Sequence, residues 1–333
     1  MLILNGADVR AALPMADAIR AVRWGYEAWS SGLAVMPLRL HIDLPEASGV
    51  SIVMPAYVPA QPGGSVPAGL VVKAVSVFPV NSALGVPVVQ GAVLALDPET
   101  GAVLALLDGA ALTAIRTGAG SGVATELLAR RDASTLAIIG TGAQALTQAE
   151  GVCTVRAIDT VWVCGRDRSR AERFVQKVAA LPGAPSDLRI TLVAREALKR
   201  ADIVCTATGS MEALFEDDAV RPGTHINAVG AFRPAIREIP AATVRRSRLY
   251  VDSRASALKE AGDILRAIAE GVIDATHILG EIGEVCAGRI QGRLSEDDVT
   301  VFKSVGIAAQ DAAAAAVSLA GAEWAKIGLR AAW

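Results

Sequence analysis

The chain has 333 residues, 52% of them hydrophobic, and a formal net charge of −2. That length accommodates two domains of ordinary size, and the apolar content supports a large core, which excludes a disordered chain. The near-neutral balance supplies no broad basic field, so nucleic acid and acidic membrane surfaces are poor partners and small molecules are better ones.

From Pro14 to Ser31 the apolar residues Met15, Ile19, Val22, Tyr26 and Trp29 recur at spacings of three and four, and Gly32 follows as a C-terminal cap. This predicts an amphipathic helix. Short β-type runs come next: Leu38 to Leu44, Val50 to Tyr57, Leu70 to Val77, Val88 to Leu96 and Val103 to Leu107. The last two flank the turn-forming Asp97-Pro-Glu-Thr-Gly101 and read as a hairpin, so a mostly antiparallel sheet is expected. A small-residue helix from Ala110 to Ala129 carries the chain onward. Its run Gly118 to Gly122 is no nucleophile elbow, because Ala119 stands where the first glycine is required.

The apolar run Leu136 to Ile139 then opens directly into Gly140-Thr-Gly142-Ala-Gln-Ala145, followed by helical periodicity to Gly151. Gly140 permits a sharp turn, Gly142 leaves room for a pyrophosphate against the backbone, and Ala145 allows helix and strand to pack closely. The helix N-terminus offers free N–H groups and a positive dipole end to phosphates. A tight turn in any α/β protein would look similar. A second apolar run, Thr160 to Cys164, completes a βαβ unit of about 30 residues, which points to a nicotinamide or flavin dinucleotide protein.

Helix and strand continue to alternate, with a helix around Ser169 to Ala180 and strands near Ile190, at Ile203 to Thr206, His225 to Val229 and Leu249 to Val251. The fold class is therefore α/β: a Rossmann-type doubly wound parallel sheet plus a mostly antiparallel α+β domain. The alanine-rich stretch Ser304 to Lys326 is a strong helix former and is expected to return to the first domain. The expected domains are 1–120 with 304–333, and 121–303.

Cys153, Cys164, Cys205 and Cys286 lie far apart with no C-x-x-C pair, and His41, His225 and His277 show no ligand spacing. Reduced thiols and no metal are expected. The N-terminus has no basic region leading into a long apolar one, so a soluble cytoplasmic protein is expected.

Three cations stand in apolar or small-residue surroundings: Arg39 in MPLRLHI, Lys73 in GLVVKAVS and Arg116 in LTAIRTGA. Each could pair with an acidic side chain or snorkel to the surface. Three together, with few carboxylates nearby in sequence, favour an anion site, where a guanidinium grips a carboxylate through two bonds and an ammonium adds a point charge.

With these residues in view, the sequence resembles the ornithine cyclodeaminase and mu-crystallin family of NAD(P)-dependent proteins. The likeness runs along nearly the whole chain: MPLR, GLVVKAVSVFP, TAIRTGAGSG, IIGTGAQA, GTHINAVGAFRP, LYVDSRASALKEAGD, GEIGEVCAG and FKSVG, in the family order. The resemblance implies that Arg39, Lys73 and Arg116 hold a substrate carboxylate in a cleft beside the nicotinamide, with Lys73 and Arg116 acting in catalysis. It implies that Ala143 and Gln144 meet the pyrophosphate, next to the cofactor-binding turn Gly140, Thr141 and Gly142, that Thr206, Asn227, Ala228, Val229 and Gly230 line the cofactor, and that Ser304 closes the site. It also implies a homodimer formed through the first, substrate-binding domain.

The cyclodeaminase branch of that family has an aspartate two residues after NAVG, where this chain has Phe232, and a glutamate ahead of Met54-Pro55, where it has Ser51-Ile52-Val53. Both acids are missing, and NAVGAFRP and ALKEAGD resemble the mu-crystallin and ketimine-reductase branch. The expected activity is NAD(P)H-dependent reduction of cyclic imino acids such as 1-pyrroline-2-carboxylate or 1-piperideine-2-carboxylate, with the proton coming from solvent or from Lys73. Phe232 is expected to border the substrate ring. Ornithine cyclodeaminase, an alanine dehydrogenase-type amination and a non-catalytic crystallin-like binder are the alternatives. NADPH is the expected cofactor, with NADH an alternative, because the second strand of the βαβ unit ends at Gly165-Arg166 rather than at a carboxylate. A guanidinium there suits a 2′-phosphate, while Asp167 next to it could turn to the ribose instead.

Overall fold

Alternating burial builds the first sheet. In the computed structural model, which describes residues 1–332, the strand at Gly49–Val58 buries Val50, Ile52, Met54, Ala56 and Val58 and leaves the residues between them half-exposed. The elements in chain order are β1 (Leu2–Leu4), α1 (Gly6–Ala12), α2 (Met15–Ser30), β2 (Leu40–Leu44), β3 (Gly49–Val58), β4 (Gly69–Val77), β5 (Val89–Leu96), β6 (Val103–Asp108) and α3 (Gly109–Leu128). Then follow β7 (Thr135–Ile139), α4 (Ala143–Val155), β8 (Thr160–Cys164), α5 (Arg168–Ala179), β9 (Asp187–Thr191), α6 (Ala194–Leu198), β10 (Ile203–Thr206), β11 (His225–Ala228), α7 (Ala241–Arg246) and β12 (Arg248–Val251). The chain closes with α8 (Arg254–Glu260), α9 (Gly262–Ala269), β13 (Ile278–Glu281), α10 (Ile282–Cys286), β14 (Thr300–Lys303), α11 (Ala308–Ala325) and β15 (Leu329–Arg330).

Two compact units result: residues 1–116 with 308 onward, and residues 117–307. The boundaries fall at Arg116/Thr117 and Ile307/Ala308, a few residues from the expected 120/121 and 303/304. At the second boundary the reason is local. Ser304 Oγ and the N–H groups of Val305 and Gly306 all donate to Asp252 Oδ2, and Gly306 adopts φ +80°, so the segment after β14 is a turn held by the second unit and the helix starts only at Ala308.

In the first unit the sheet order is β15-β1-β6-β5-β4-β3-β2. It is antiparallel throughout except for β1, a short strand absent from the sequence reading, which runs parallel to β6. Residues 97–102 close the β5–β6 hairpin, with Asp97 N–H donating to Ala102 O and Gly101 at φ +73°. Helix α11 covers β3, β4 and β5 and is itself covered by α2. The approach is close because it is made over small residues: a Cβ at Gly69 would lie 2.3 Å from Ala312 O, and one at Gly25 2.9 Å from Ala309 O.

In the second unit an all-parallel sheet has the order β13-β12-β14-β11-β10-β7-β8-β9. Both faces are covered. Leu136 and Ile138 of β7 enter one apolar cluster with Val152, Val161 and Phe174, while Ala137 and Ile139 enter another with Ile226, Ile239 and Val251. Strand order reverses between β7 and β10, the switch point at whose carboxyl edge ligands bind in such sheets.

Candidate active site

Lys73 lies on β4 at a position facing α11, and its side chain is fully buried. Its Nζ donates to Asp311 Oδ2 of α11 at 2.5 Å, and the other carboxylate oxygen, Oδ1, accepts from Arg116 Nε at 3.1 Å. Arg116 is braced further: Nη1 donates to Gln310 Oε1 at 3.0 Å, and Gln310 Nε2 donates to Tyr26 Oη at 2.7 Å. Nη2 of Arg116 takes part in neither of those bonds. The three cations singled out in the sequence do come together, since the charges of Arg116 and half-buried Arg39 both act on Lys73. Burial pushes the Lys73 ammonium from 10.5 down to about 7; Asp311 opposes that fall, and Arg116 and Arg39 deepen it.

Asp311 is thus the acidic partner that the sequence reading weighed for each cation, shared by two of them. Asp311 is shared between Lys73 and Arg116, and the guanidinium groups of Arg116 and Arg39 both act on Lys73, a grouping of cations suited to a carboxylate. Asp311 is not among the residues the sequence singled out. A single charge in AAQDAAAAA was the available signal, because a lone carboxylate on a buried alanine face requires a partner.

In the second unit, Gly140 adopts φ +120°, and a Cβ there would lie 2.6 Å from Ala207 O, so the turn itself demands glycine. Gly142 is different: its φ is −85°, and an added Cβ would meet nothing within 4 Å. No protein contact requires that glycine. It is the N-cap of α4, and among the described residues no side chain caps the first turn. Open space before uncapped N–H groups at a helix N-terminus fits a pyrophosphate.

After β8, Gly165 is followed by exposed Arg166, which makes no hydrogen bond or ion pair among the described residues. Asp167 is engaged as the N-cap of α5, accepting from Arg170 N at 2.7 Å and Ser169 Oγ at 2.8 Å. Thr206 at the end of β10 is buried and donates to Glu238. Asn227 faces inward: Nδ2 donates to Thr125 Oγ1, and Oδ1 meets His225 Nε2. Ala228 O accepts from Lys303 Nζ and Ser304 N. Val229 and Gly230 are half-buried just beyond β11. Ser304 is 4% exposed with its hydroxyl given to Asp252. Phe232 is half-buried, packed against the apolar cluster of its own unit, with the Arg233 guanidinium 5.6 Å above its ring.

The sequence reading also missed Glu238, Asp263 and Lys303, all nearly or fully buried, at the carboxyl edge of the second sheet. Lys303 in VFKSVG carries the same signal as Lys73 in GLVVKAVS, a cation in an apolar strand.

A model of the ornithine cyclodeaminase/mu-crystallin family matches residues 1–319. A Delta(1)-pyrroline-2-carboxylate reductase of Bacillus cereus is 37% identical over 312 residues, 93% of each chain. The ketimine reductase mu-crystallin of Mus musculus is 36% identical over 284 residues, 85% of this chain and 84% of that one. The solved structure of Thermococcus litoralis Delta(1)-pyrroline-2-carboxylate reductase in complex with NADH and L-proline is similar with a TM-score of 0.93 at 38% identity, covering 99% of this chain and 100% of that one.

Proposed function

The chain belongs to the ornithine cyclodeaminase/mu-crystallin family, and on that premise we propose that it is a NAD(P)H-dependent reductase of cyclic imino acids, turning 1-pyrroline-2-carboxylate or 1-piperideine-2-carboxylate into L-proline or L-pipecolate. The observation that carries this reading is the buried Lys73–Asp311–Arg116 set with Arg39 beside it. Arg39 and Arg116 would bind the substrate carboxylate, and binding it in that cluster orients the adjacent imine carbon.

A nicotinamide cofactor, when bound, would supply the hydride for reduction of this carbon. Lys73 supplies the proton to the imine nitrogen: an ammonium brought down to about 7 is matched to proton transfer near neutral pH, and Asp311, 2.5 Å from Nζ, holds it in one place. The carbon–nitrogen double bond is reduced to a single bond, and the amine product takes up the proton Lys73 gives. By the family resemblance Phe232 stands where the cyclodeaminase branch has an acid for the distal amine of ornithine, which favours an apolar ring as substrate.

NADPH is the proposed cofactor. Asp167 is occupied as a helix cap while Arg166 is exposed and makes no ion pair among the described residues, which supports a 2′-phosphate partner over a ribose hydroxyl. The exposed apolar residues Leu38, Leu40 and Ile42 at the β2 edge of the first sheet support pairing with a second copy of the chain. Among the described residues the four cysteines form no disulfide, which suits a reducing cytoplasm.

The test is turnover of the purified protein with NADPH against cyclic imino acids, pyruvate plus ammonia, and ornithine. Cyclic imino acids should be the best substrates by kcat/KM. Efficient amination of pyruvate would make it an alanine dehydrogenase, ammonia and proline from ornithine a cyclodeaminase, and tight binding without turnover a binder.

A further inference from the structure

The strand order fixes where each part of an extended dinucleotide would run. Its adenosine half belongs over β8, at Gly165 and Arg166, and its pyrophosphate at β7 and the start of α4. The remaining half is therefore directed the other way across the carboxyl edge, over β10 and β11. The backbone there is organised by one fully buried carboxylate. Glu238 Oε1 accepts from Thr208 N at 2.6 Å and Thr208 Oγ1 at 2.8 Å; Oε2 accepts from Thr206 Oγ1 at 2.9 Å and Gly230 N at 2.7 Å.

Glu238 thus ties the segment leaving β10 to the segment leaving β11. The tie is tight: a Cβ on Gly230 would lie 2.4 Å from Glu238 Oε1 and 2.2 Å from Thr208 O. Glu238 is itself held from behind. Asp263 Oδ1 accepts from the N–H groups of Glu238 and Ile239 at 2.7 and 3.0 Å, Asp263 Oδ2 pairs with Lys303 Nζ at 3.0 Å, and Nζ donates to Ala228 O at the end of β11. The circuit starts and ends on the strand edges the nicotinamide half would cover.

Resting on the dinucleotide reading above, we propose that Glu238 is a positioning residue for the nicotinamide half of the cofactor, setting the loops after β10 and β11 in a single arrangement. The chemistry makes the claim specific to the carboxylate. Each oxygen takes one backbone N–H, a donor that cannot reverse, whereas the two threonine hydroxyls can. A glutamine at this position must turn its NH₂ group against either Thr208 N–H or Gly230 N–H, so one loop moves.

The test is direct binding of two ligands to wild-type protein and to Glu238→Gln: NADPH, and ADP-ribose 2′-phosphate, which lacks only the nicotinamide. NADH and ADP-ribose replace them where the wild type binds NADH more tightly. The variant should lose about tenfold or more in affinity for NADPH while holding the fragment within about twofold. If Glu238→Gln does not fold, Thr208→Val removes one side-chain donor to the same carboxylate and should show the same split to a smaller degree. Equal weakening of both ligands, or unchanged NADPH binding in the folded variants, would overturn the proposal. A wild-type protein that binds neither ligand would instead overturn the dinucleotide reading on which it stands.

Discussion

Lys73 Nζ and Asp311 Oδ2 meet at 2.5 Å with both side chains at most 1% exposed, joining the middle of β4 to the first turn of α11. The pair has opposing effects on Lys73: burial lowers its pKa to about 7, and Asp311 keeps it from falling lower. If Lys73 works as an ammonium in imine reduction, kcat/KM should be sustained below about 7 and decline as pH rises through that value. Asp311→Asn removes the charge that raises the pKa, so the decline should move to lower pH by about one unit or more. A pH–rate profile of both proteins checks this. A variant that loses activity equally at every pH, with the midpoint unmoved, would show that Asp311 serves packing alone.

Arg116 presents Nη2 outside its bonds to Asp311 and Gln310. Arg116→Ala should lower kcat/KM for imino acids at least tenfold, through roughly 1.5 to 3 kcal/mol of lost charge-assisted hydrogen bonding. Dinucleotide affinity should change less. Steady-state kinetics together with cofactor titration separate the two effects, and intact turnover would remove Arg116 from the substrate site.

Gly142 offers a separation of stability from binding. Its φ of −85° suits alanine, and a Cβ would touch no protein atom within 4 Å. Gly142→Ala should therefore keep unfolding free energy within about 1 kcal/mol of wild type while weakening the dinucleotide by about tenfold or more, because the methyl group enters the space left for the pyrophosphate. Denaturant melts and equilibrium titration measure each half of that statement. Unchanged affinity would move the pyrophosphate elsewhere.

What the sequence made legible, and what it hid, follows from the range of the interactions involved. The amphipathic period of α2, the alternation of β3 to β6 and the glycine turn before α4 are local signals, and the elements formed where those signals stood. Short strands such as β1, β13 and β14 carry three or four residues each, and their pairing depends on strands distant in sequence. The site divides in the same way. Arg39, Lys73 and Arg116 were visible as cations out of place. Asp311 lies 238 residues beyond Lys73, so the carboxylate that organises the cluster became evident only when α11 was seen to return across β4. Glu238 was hidden for the opposite reason, since it stands in an ordinary polar stretch, ArgGluIlePro, and only its burial shows its importance.

Arg166 is exposed beside Gly165, while Asp167 is committed to capping α5. Arg166→Ala should raise the KM for NADPH much more than that for NADH, and the unmodified protein should use NADPH with the higher kcat/KM. Equal or better kcat/KM with NADH in the wild type would show that the pocket after β8 serves a ribose hydroxyl.

The most direct measurement of the central claim follows one atom. The protein is incubated with 1-pyrroline-2-carboxylate and each of the two stereoisomers of NADPH deuterated at C4 of the nicotinamide, or with the corresponding NADH, and the product is analysed by mass spectrometry and chiral chromatography. A reductase that aligns the imine carbon by binding its neighbouring carboxylate should yield L-proline bearing a single deuterium at the α-carbon from one stereoisomer and none from the other. Racemic proline, proline labelled elsewhere, or no proline from the imine would contradict the account.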